Sequence, residues 1–143
     1  MVLFSSCSDH NATYDDDTII ARNSDGFFST RSTSSTFGKE FTMNATFTGA
    51  KTIWRYRANE DMDLRVSYLL SVAEGGKAKL VLITPDSEVV ILSENIDNSV
   101  MDEPRAETIT LKKGNNRIKI VGQDSPKFEL KMNAEVGRFG DDD

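Results

Sequence analysis

Two aromatic residues have a type and a spacing that suit contact with a ligand. Trp54 and Tyr56 stand two positions apart, and in a β-strand that spacing places both rings on one face. Such a pair, or Tyr68 further along the chain, could offer a surface on which a sugar ring stacks. The alternative is that these rings anchor the core, because buried aromatic side chains dominate small cores. The shortage of other large side chains in the sequence favours the core.

Carboxylates form the second candidate group. Asp61 and Asp63 begin a predicted strand, while Asp97 and Asp102 lie in a long loop. Calcium takes six to eight oxygen ligands, often from carboxylates that loops bring together. If the loop folds back, these four residues predict a calcium site. Otherwise they are ordinary solvated acids, which is the usual state of aspartates at a protein surface.

Residues suited to catalysis are scarce. The 143-residue chain has one histidine and one cysteine, and His10 lies in a polar stretch where nothing rigid could hold it as a general base. A single cysteine excludes an internal disulfide and cysteine-rich zinc sites. The sequence therefore predicts a protein that is not an enzyme and that has no cofactor except, in one interpretation, calcium.

Charge and hydropathy exclude two further classes of protein. The 17 lysines and arginines against 23 aspartates and glutamates give a formal net charge of −6, without the basic cluster typical of nucleic-acid binding. The sequence contains no run of 18 apolar residues, which is about the length that a transmembrane helix needs. We therefore expect no nucleic-acid partner and no membrane-spanning segment.

The elements that must position these residues show a period of two. Because successive side chains of a strand point to opposite faces, alternation of apolar and polar residues predicts strands with one buried face. The apolar members are Phe41, Met43, Ala45 and Phe47, then Met62, Leu64, Val66, Tyr68, Leu70 and Val72, and finally Phe128, Leu130, Met132, Ala134 and Val136.

Shorter candidate strands fill the intervals, and turn residues separate them. Residues 52–57, 79–84, 88–92, 108–112 and 117–121 fit strands, and the glycines and all three prolines fall between segments. About eight short strands at such spacing predict an all-β fold, an antiparallel β-sandwich or jelly roll. The folded domain is expected over residues 39–137.

The N-terminus indicates a location. Residues 1–7 read Met-Val-Leu-Phe-Ser-Ser-Cys, and the segment Leu3–Cys7 resembles the end of a bacterial lipoprotein signal peptide. The resemblance implies that residues 1–7 are a signal-peptide remnant and that Cys7 is lipidated. It also implies that the protein is extracytoplasmic and anchored to the cell membrane by that lipid alone.

The segments outside the domain are polar. Residues 8–38 are crowded with serine, threonine and aspartate, a composition that predicts a flexible tether between the lipid and the domain. Phe27, Phe28 and Phe37 are exceptions, and they could dock part of this segment on the domain as an edge strand. Residues 138–143, which end in three aspartates, are expected to be an acidic tail.

Two segments carry a resemblance to secreted bacterial modules. Residues 79–90, Lys-Leu-Val-Leu-Ile-Thr-Pro-Asp-Ser-Glu-Val-Val, resemble the strand–turn–strand hairpin of pre-peptidase C-terminal domains, with Ser87 in place of glycine. Residues 111–120, Leu-Lys-Lys-Gly-Asn-Asn-Arg-Ile-Lys-Ile, are similar to a hairpin of jelly-roll carbohydrate-binding modules. The resemblance implies a β-sandwich over residues 62–136.

Two functional hypotheses follow. The first is a non-catalytic cell-surface lipoprotein, a binding or scaffolding module on a stalk whose partner is an envelope protein or a glycan. The alternative is a carbohydrate-binding β-sandwich module that uses Trp54, Tyr56 or Tyr68, with or without calcium.

Overall fold

The computed structural model describes residues 11–96 and 103–140, and it consists almost entirely of antiparallel strands. The elements are α1 (Asp17–Ile20), β1 (Gly26–Phe37), β2 (Glu40–Ala58), β3 (Met62–Glu74), β4 (Lys77–Ile83), β5 (Val89–Ile96), β6 (Arg105–Leu111), β7 (Gly114–Gln123), β8 (Lys127–Ala134) and β9 (Arg138–Phe139). The predicted all-β antiparallel sandwich is confirmed. No helix in the described parts of the chain is long and apolar enough to cross a membrane.

Strand β2 belongs to both layers of the sandwich. The strand order is β5-β4-β7-β2-β8-β3-β6, with β1 and β9 also paired to β2. The first half of β2 lies between β1 and β8, and its second half pairs with β7 and, at Trp54 and Arg55, with β9. A register shift between Thr52 and Trp54 interrupts the β2–β7 ladder. β2 thus joins the layer β1-β2-β8-β3-β6 to the layer β9-β2-β7-β4-β5.

The two layers enclose one main hydrophobic core. The alternating residues of β2, β3 and β8 point into it, as the sequence predicts, and they meet apolar side chains of β4, β5, β6 and β7. Polar groups also bridge the layers, because the side-chain amide of Asn95 on β5 donates to the carbonyl oxygen of Leu70 on β3. The residues of this core are Phe41, Met43, Ala45, Phe47, Ile53, Trp54, Leu64, Val66, Tyr68, Leu70, Val72, Ala78, Leu80, Leu82, Leu92, Ile109, Leu111, Ile118, Ile120, Phe128, Leu130, Met132 and Ala134.

One of the two segments that carry the family resemblance forms a hairpin, and the other does not. β4 and β5 pair across the turn at residues 84–88, where Ser87 takes a φ of +66°, a conformation that normally favours glycine. Residues 111–120 instead cross between the layers, because β6 pairs with β3 while β7 pairs with β2 and β4. The hairpin interpretation of residues 111–120 is therefore corrected.

Residues 11–25, which we call the N-terminal cover, pack on the outer face of β2, β7 and β4. Tyr14 and Ile20 are fully buried there, against Val81, Ile83 and Val121. Since both faces of β4 and β7 are covered, most of their residues are buried in succession and do not alternate with exposed ones. Tyr14 and Ile20 are the apolar side chains that this otherwise polar segment buries most completely.

The structure accordingly differs from the predicted tether over residues 11–37. The N-terminal cover belongs to the folded domain, and β1 pairs along β2 from Gly26↔Ala50 to Phe37↔Glu40. The pairing satisfies the backbone of a serine- and threonine-rich segment without burying much of it. The edge-strand docking that Phe27, Phe28 and Phe37 suggested is what the structure contains. Residues 138–139 likewise form β9, so the predicted acidic tail is not separate from the domain at its start.

A buried lysine fixes the N-terminal cover. The side chain of Lys119 on β7 is fully buried, and its Nζ donates to the carbonyl oxygens of Arg22 (2.9 Å) and Ser24 (3.2 Å) and lies 3.3 Å from Asp25 Oδ1. Burial lowers the pKa of Lys119, and Asp25 opposes that shift. Asp25 in turn accepts hydrogen bonds from the backbone N–H (3.0 Å) and hydroxyl (2.8 Å) of Thr52.

Candidate functional site

The structure removes two of the three aromatic candidates from the surface. The indole of Trp54 is fully buried and its Nε1 donates to the carbonyl oxygen of Val136 at 2.9 Å. Tyr68 is 1% exposed, and its hydroxyl donates to the carbonyl oxygen of Leu92 at 2.8 Å and contacts the carboxylate of Glu107. Burial, with the contribution of Glu107, raises the pKa of Tyr68 to about 12. Neither ring can stack on a ligand.

The third aromatic candidate, Tyr56, lies at the edge of the core. It is partly buried, and its ring centroid is 6.2 Å from that of Trp54. Unlike Trp54 it also lines an open groove at one end of the sandwich. Tyr56 is therefore the one of the three predicted aromatic residues that remains a candidate for ligand contact.

Two of the four predicted carboxylates, Asp61 and Asp63, lie within the described residues. Asp61 accepts a hydrogen bond from the backbone N–H of Lys113 at 2.8 Å, and Asp63 accepts one from the hydroxyl of Thr110 at 3.2 Å. Asp97 and Asp102 lie outside the described residues, as does Cys7. Within residues 11–96 and 103–140, no three aspartate, glutamate, histidine or cysteine side chains come close enough to hold a metal ion.

The groove beside Tyr56 is the candidate site. It has a volume of about 610 Å³, within the range typical of ligand sites. Strands β2, β7 and β9 form its floor, and one residue of the N-terminal cover reaches its rim. Its lining consists of four arginines, three asparagines, Tyr56 and a glycine, namely Arg55, Arg57, Arg117, Arg138, Asn23, Asn115, Asn116 and Gly140 in addition to Tyr56.

Sheet pairing aligns three of these arginines in a row. Arg55 on β2 is directly opposite Arg117 on β7 and, on its other side, Arg138 on β9. Residues directly opposite each other in neighbouring strands project to the same face, with strands about 4.7–4.9 Å apart. Arg57 lies two residues further along β2 and so shares that face. We call these four residues the arginine row.

Backbone contacts hold two arginines of the row in place. Arg117 donates through Nη1 to the carbonyl oxygen of Arg22 (2.7 Å) and through Nη2 to that of Ala21 (2.8 Å), which also ties the groove to the N-terminal cover. Burial lowers the pKa of Arg117; the charge of Asp25 opposes that shift, and the charge of Arg55 adds to it more weakly. Arg138 lies on β9, which pairs with β2 beside Trp54.

Gly137 allows β9 to reach that position. Its φ is +94°, and a Cβ built on it would lie 2.3 Å from Nε1 and 2.4 Å from Cε2 of Trp54. The backbone of Gly137 therefore rests directly on the indole ring, and the next residues continue past it, where the Gly140 N–H donates to the carbonyl oxygen of Ile53 at 2.9 Å. Trp54 thus acts on the site indirectly, by seating the strand that carries Arg138.

Asn116 shapes the opposite wall of the groove. It is fully buried, and its side chain bonds to both the N–H and the carbonyl oxygen of Lys112 (3.2 and 2.8 Å) and to the carbonyl oxygen of Gly114 (3.0 Å). These bonds fix the turn between β6 and β7. Asn115 beside it is exposed and opposite Arg57, so its amide is available to a ligand.

The groove is lined by positively charged side chains, although the chain as a whole is acidic. The formal net charge of the protein is −6, yet none of the residues that line the groove is acidic. Within the described residues, the exposed guanidinium groups of Arg55 and Arg57 form neither a hydrogen bond nor an ion pair. Like charges directly opposite in a sheet are destabilising, and the charge of Asp25 offsets part of this repulsion at Arg117.

Sequence reasoning missed this site. Arg55 and Arg57 are visible as the polar partners of Trp54 and Tyr56, and the period of two predicts that they face solvent. Arg117 and Arg138 are more than 60 and 80 positions away, and nothing in the sequence indicates that their strands flank β2. The strand order was needed to find the row.

Comparisons with known proteins give a likeness of shape only. No family model matches the chain and no curated protein matches it. A family 29 carbohydrate-binding module superposes with a TM-score of 0.45 at 16% identity over 78% of this chain and 76% of that one. A variant of such a module complexed with mannohexaose gives 0.46 at 16% identity, covering 78% and 79% of the two chains.

A larger protein contains a similar shape. The exo-β-1,3-galactanase of Phanerochaete chrysosporium, solved with galactose, gives a TM-score of 0.42 at 16% identity over 78% of this chain and 29% of that one. Because these TM-scores lie below 0.5, the likeness carries no argument about what this chain binds.

Proposed function

We propose that this protein is a non-catalytic carbohydrate-binding module and that the groove beside Tyr56 is its binding site. One observation carries the proposal: the exposed side chains of Arg55, Arg57 and Asn115 present hydrogen-bond donors in a groove on a rigid sheet, and Tyr56 is the aromatic residue of its lining. Sugars offer hydroxyl groups to such donors and C–H faces to such rings. Sites built on strands hold their side chains more precisely than sites on loops.

The composition of the groove supports binding without catalysis. Its lining includes no carboxylate, imidazole, thiol or aliphatic hydroxyl group, the groups that most often act as general bases or nucleophiles. The guanidinium groups stay charged at all ordinary pH values and so donate hydrogen bonds rather than exchange protons. A bound glycan would be held and released unchanged.

A glycan array tests the proposal. We expect the wild-type protein to bind a defined set of glycans, and Tyr56→Ala to lose that binding. Phe37→Ala is the matched control, because Phe37 is an aromatic residue that is 86% exposed on β1 and does not line the groove. Far-UV circular dichroism checks that both variants fold, and Arg57→Gln provides a second groove variant that leaves the core untouched.

Two results would contradict the proposal. One is a wild-type protein that binds no glycan on the array. The other is binding that survives Tyr56→Ala and Arg57→Gln but is lost in Phe37→Ala, which would move the site to β1.

The surface location rests on Cys7 and is a separate proposal. We propose that the module is displayed outside the cytoplasm on a lipid attached to Cys7, supported by the resemblance of Leu3–Cys7 to a lipoprotein signal. The intact mass of the protein from native cells tests it: a chain that begins at Cys7 with an added diacylglycerol supports the proposal, and an unmodified chain that begins at Met1 contradicts it.

A further inference from the structure

We propose that the glycan held in the groove is acidic, a chain of uronate residues whose carboxylates bind the arginine row. This inference rests on the proposed function and deepens it, since it names the chemical class of the sugar. Four residues of the groove support it: Arg55, Arg57, Arg117 and Arg138.

Like charges lie next to each other in the groove, and this favours an anionic ligand. Arginines directly opposite each other in adjacent strands repel, and here Arg55 has such a neighbour on each side. Carboxylates elsewhere in the chain outnumber the basic groups, but none lines the groove. Asp25 offsets part of the charge at Arg117 from outside the groove lining, and a bound anion would relieve the repulsion that remains around Arg55.

The geometry of the guanidinium groups suits a carboxylate. A guanidinium offers two parallel N–H donors that match the two oxygens of a carboxylate. Arg55 and Arg57 are exposed and, within the described residues, form no hydrogen bond or ion pair. Arg117 uses two of its five donors on backbone carbonyls, which fixes its plane and leaves donors for a ligand.

The spacing of the arginine row suits a polymer with evenly spaced carboxylates. Strand separation places neighbouring arginines about 5 Å apart across β9, β2 and β7, a distance close to the length of one sugar residue. A polymer with one carboxylate on each residue would meet one guanidinium after another along the row. A small isolated anion would contact only part of the row. Asn115 and Tyr56 lie in the same groove and are suited to the sugar hydroxyls and ring.

The charge of the rest of the protein argues against a polyphosphate. Nucleic acids bind to extended basic surfaces and stack their bases on several aromatic side chains. Here the net charge is −6 and the groove contains a single aromatic ring. A uronate chain has a lower charge density than nucleic acid and needs only the local positive groove.

The test compares ligands that differ only in the carboxylate. Isothermal titration calorimetry at low salt is performed with hexamers of galacturonate and of mannuronate, and with the galactose and mannose hexamers obtained by reducing their carboxyl groups. We expect at least one uronate hexamer to bind and its reduced counterpart to bind at least about tenfold more weakly, since hydrogen bonds to charged groups are the strong ones. Raising the salt concentration should weaken the uronate complex.

Matched arginine variants locate the effect. Arg55→Gln should weaken uronate binding by about 10- to 100-fold. Arg65→Gln on β3 is the control, because Arg65 is also an exposed strand arginine but does not line the groove, and its affinity should stay within about twofold of wild type. Both substitutions remove one charge from the protein surface, so a non-specific effect of net charge would appear in both.

The outcomes separate this inference from the proposed function. If the reduced hexamers bind as tightly as the uronates and Arg55→Gln changes nothing, the acidic ligand is overturned while a neutral glycan module stands. If a single-stranded oligonucleotide binds more tightly than either uronate, the inference is overturned in favour of nucleic acid. If no hexamer binds and the glycan array is also blank, both proposals fail.

Discussion

Replacing Gly137 with alanine tests how the site is built. A Cβ at this position would lie 2.3–2.6 Å from three atoms of the Trp54 indole, far inside the 3.5–4.0 Å of a normal carbon contact. The residue also has a φ of +94°, which costs a non-glycine residue about 1–3 kcal/mol. Adding about 1–3 kcal/mol for the overpacking, we expect Gly137→Ala to lower the free energy of unfolding by about 2–6 kcal/mol.

The matched control is Gly38→Ala in the turn between β1 and β2. Gly38 also has a positive φ, +63°, but a Cβ there would meet nothing within 4 Å. Its cost should therefore be the backbone cost alone, about 1–2 kcal/mol. The difference between the two variants isolates the contact of β9 with Trp54.

Urea unfolding and the fluorescence of the single tryptophan provide the readouts. If alanine at position 137 displaces β9, Trp54 loses its cover and its bond to Val136, so its emission should shift to the red and acrylamide should quench it. Arg138 would leave the arginine row, and the affinity for a uronate hexamer should fall. Equal stability of the two alanine variants, with unchanged Trp54 emission, would refute the packing of β9 on Trp54 and the role given to that packing.

Three further predictions concern groups that the fold buries. Because the folded protein holds the Tyr68 proton up to a pKa of about 12, against 10 in the unfolded chain, stability should fall as pH rises through that window by about 1.4 kcal/mol per pH unit for this group; Tyr68→Phe should flatten the fall in urea titrations between pH 9 and 12, and an unchanged slope would contradict the assignment. Lys119→Met should remove the donor of the Ser24 carbonyl, one of two donors to the Arg22 carbonyl and the cation beside Asp25, costing about 1–3 kcal/mol, and trypsin should then cut faster after Arg22; an unchanged cleavage rate would show that Lys119 does not hold the N-terminal cover. Asn116→Ala should cost about 1–3 kcal/mol in thermal unfolding, and a loss below a few tenths would mean that the β6–β7 turn does not depend on this side chain.

The sequence was sufficient to predict the fold class, because the signal is local. Alternation along β3, β8 and the first part of β2 depends only on which residues face the core, because these segments have one face on the core and a more exposed face opposite it. The sequence pattern did not predict the packing where both faces of a strand are covered. Residues 13–20 contain only two large apolar side chains that become buried, Tyr14 and Ile20, which is too few to distinguish a packed segment from a polar tether.

The site was less predictable than the fold. The pair Trp54 and Tyr56 was visible, but the bend and pairing of β2 decide that one ring is fully buried while the other reaches the groove. Arg55, Arg117 and Arg138 come from three strands, and their alignment depends on strand order and register. These are long-range properties of the sheet, and neither spacing nor composition encodes them.

An NMR titration that observes the Nε–H groups of the arginines tests most directly whether the groove binds an acidic glycan. A uronate hexamer is added to the ¹⁵N-labelled protein, and the side-chain resonances of Arg55, Arg57 and Arg138 are followed beside that of Arg65 on β3. The account predicts saturable shifts in the three groove arginines and none in Arg65. Shifts of equal size in all four, or in Arg65 alone, would contradict a binding site in the groove.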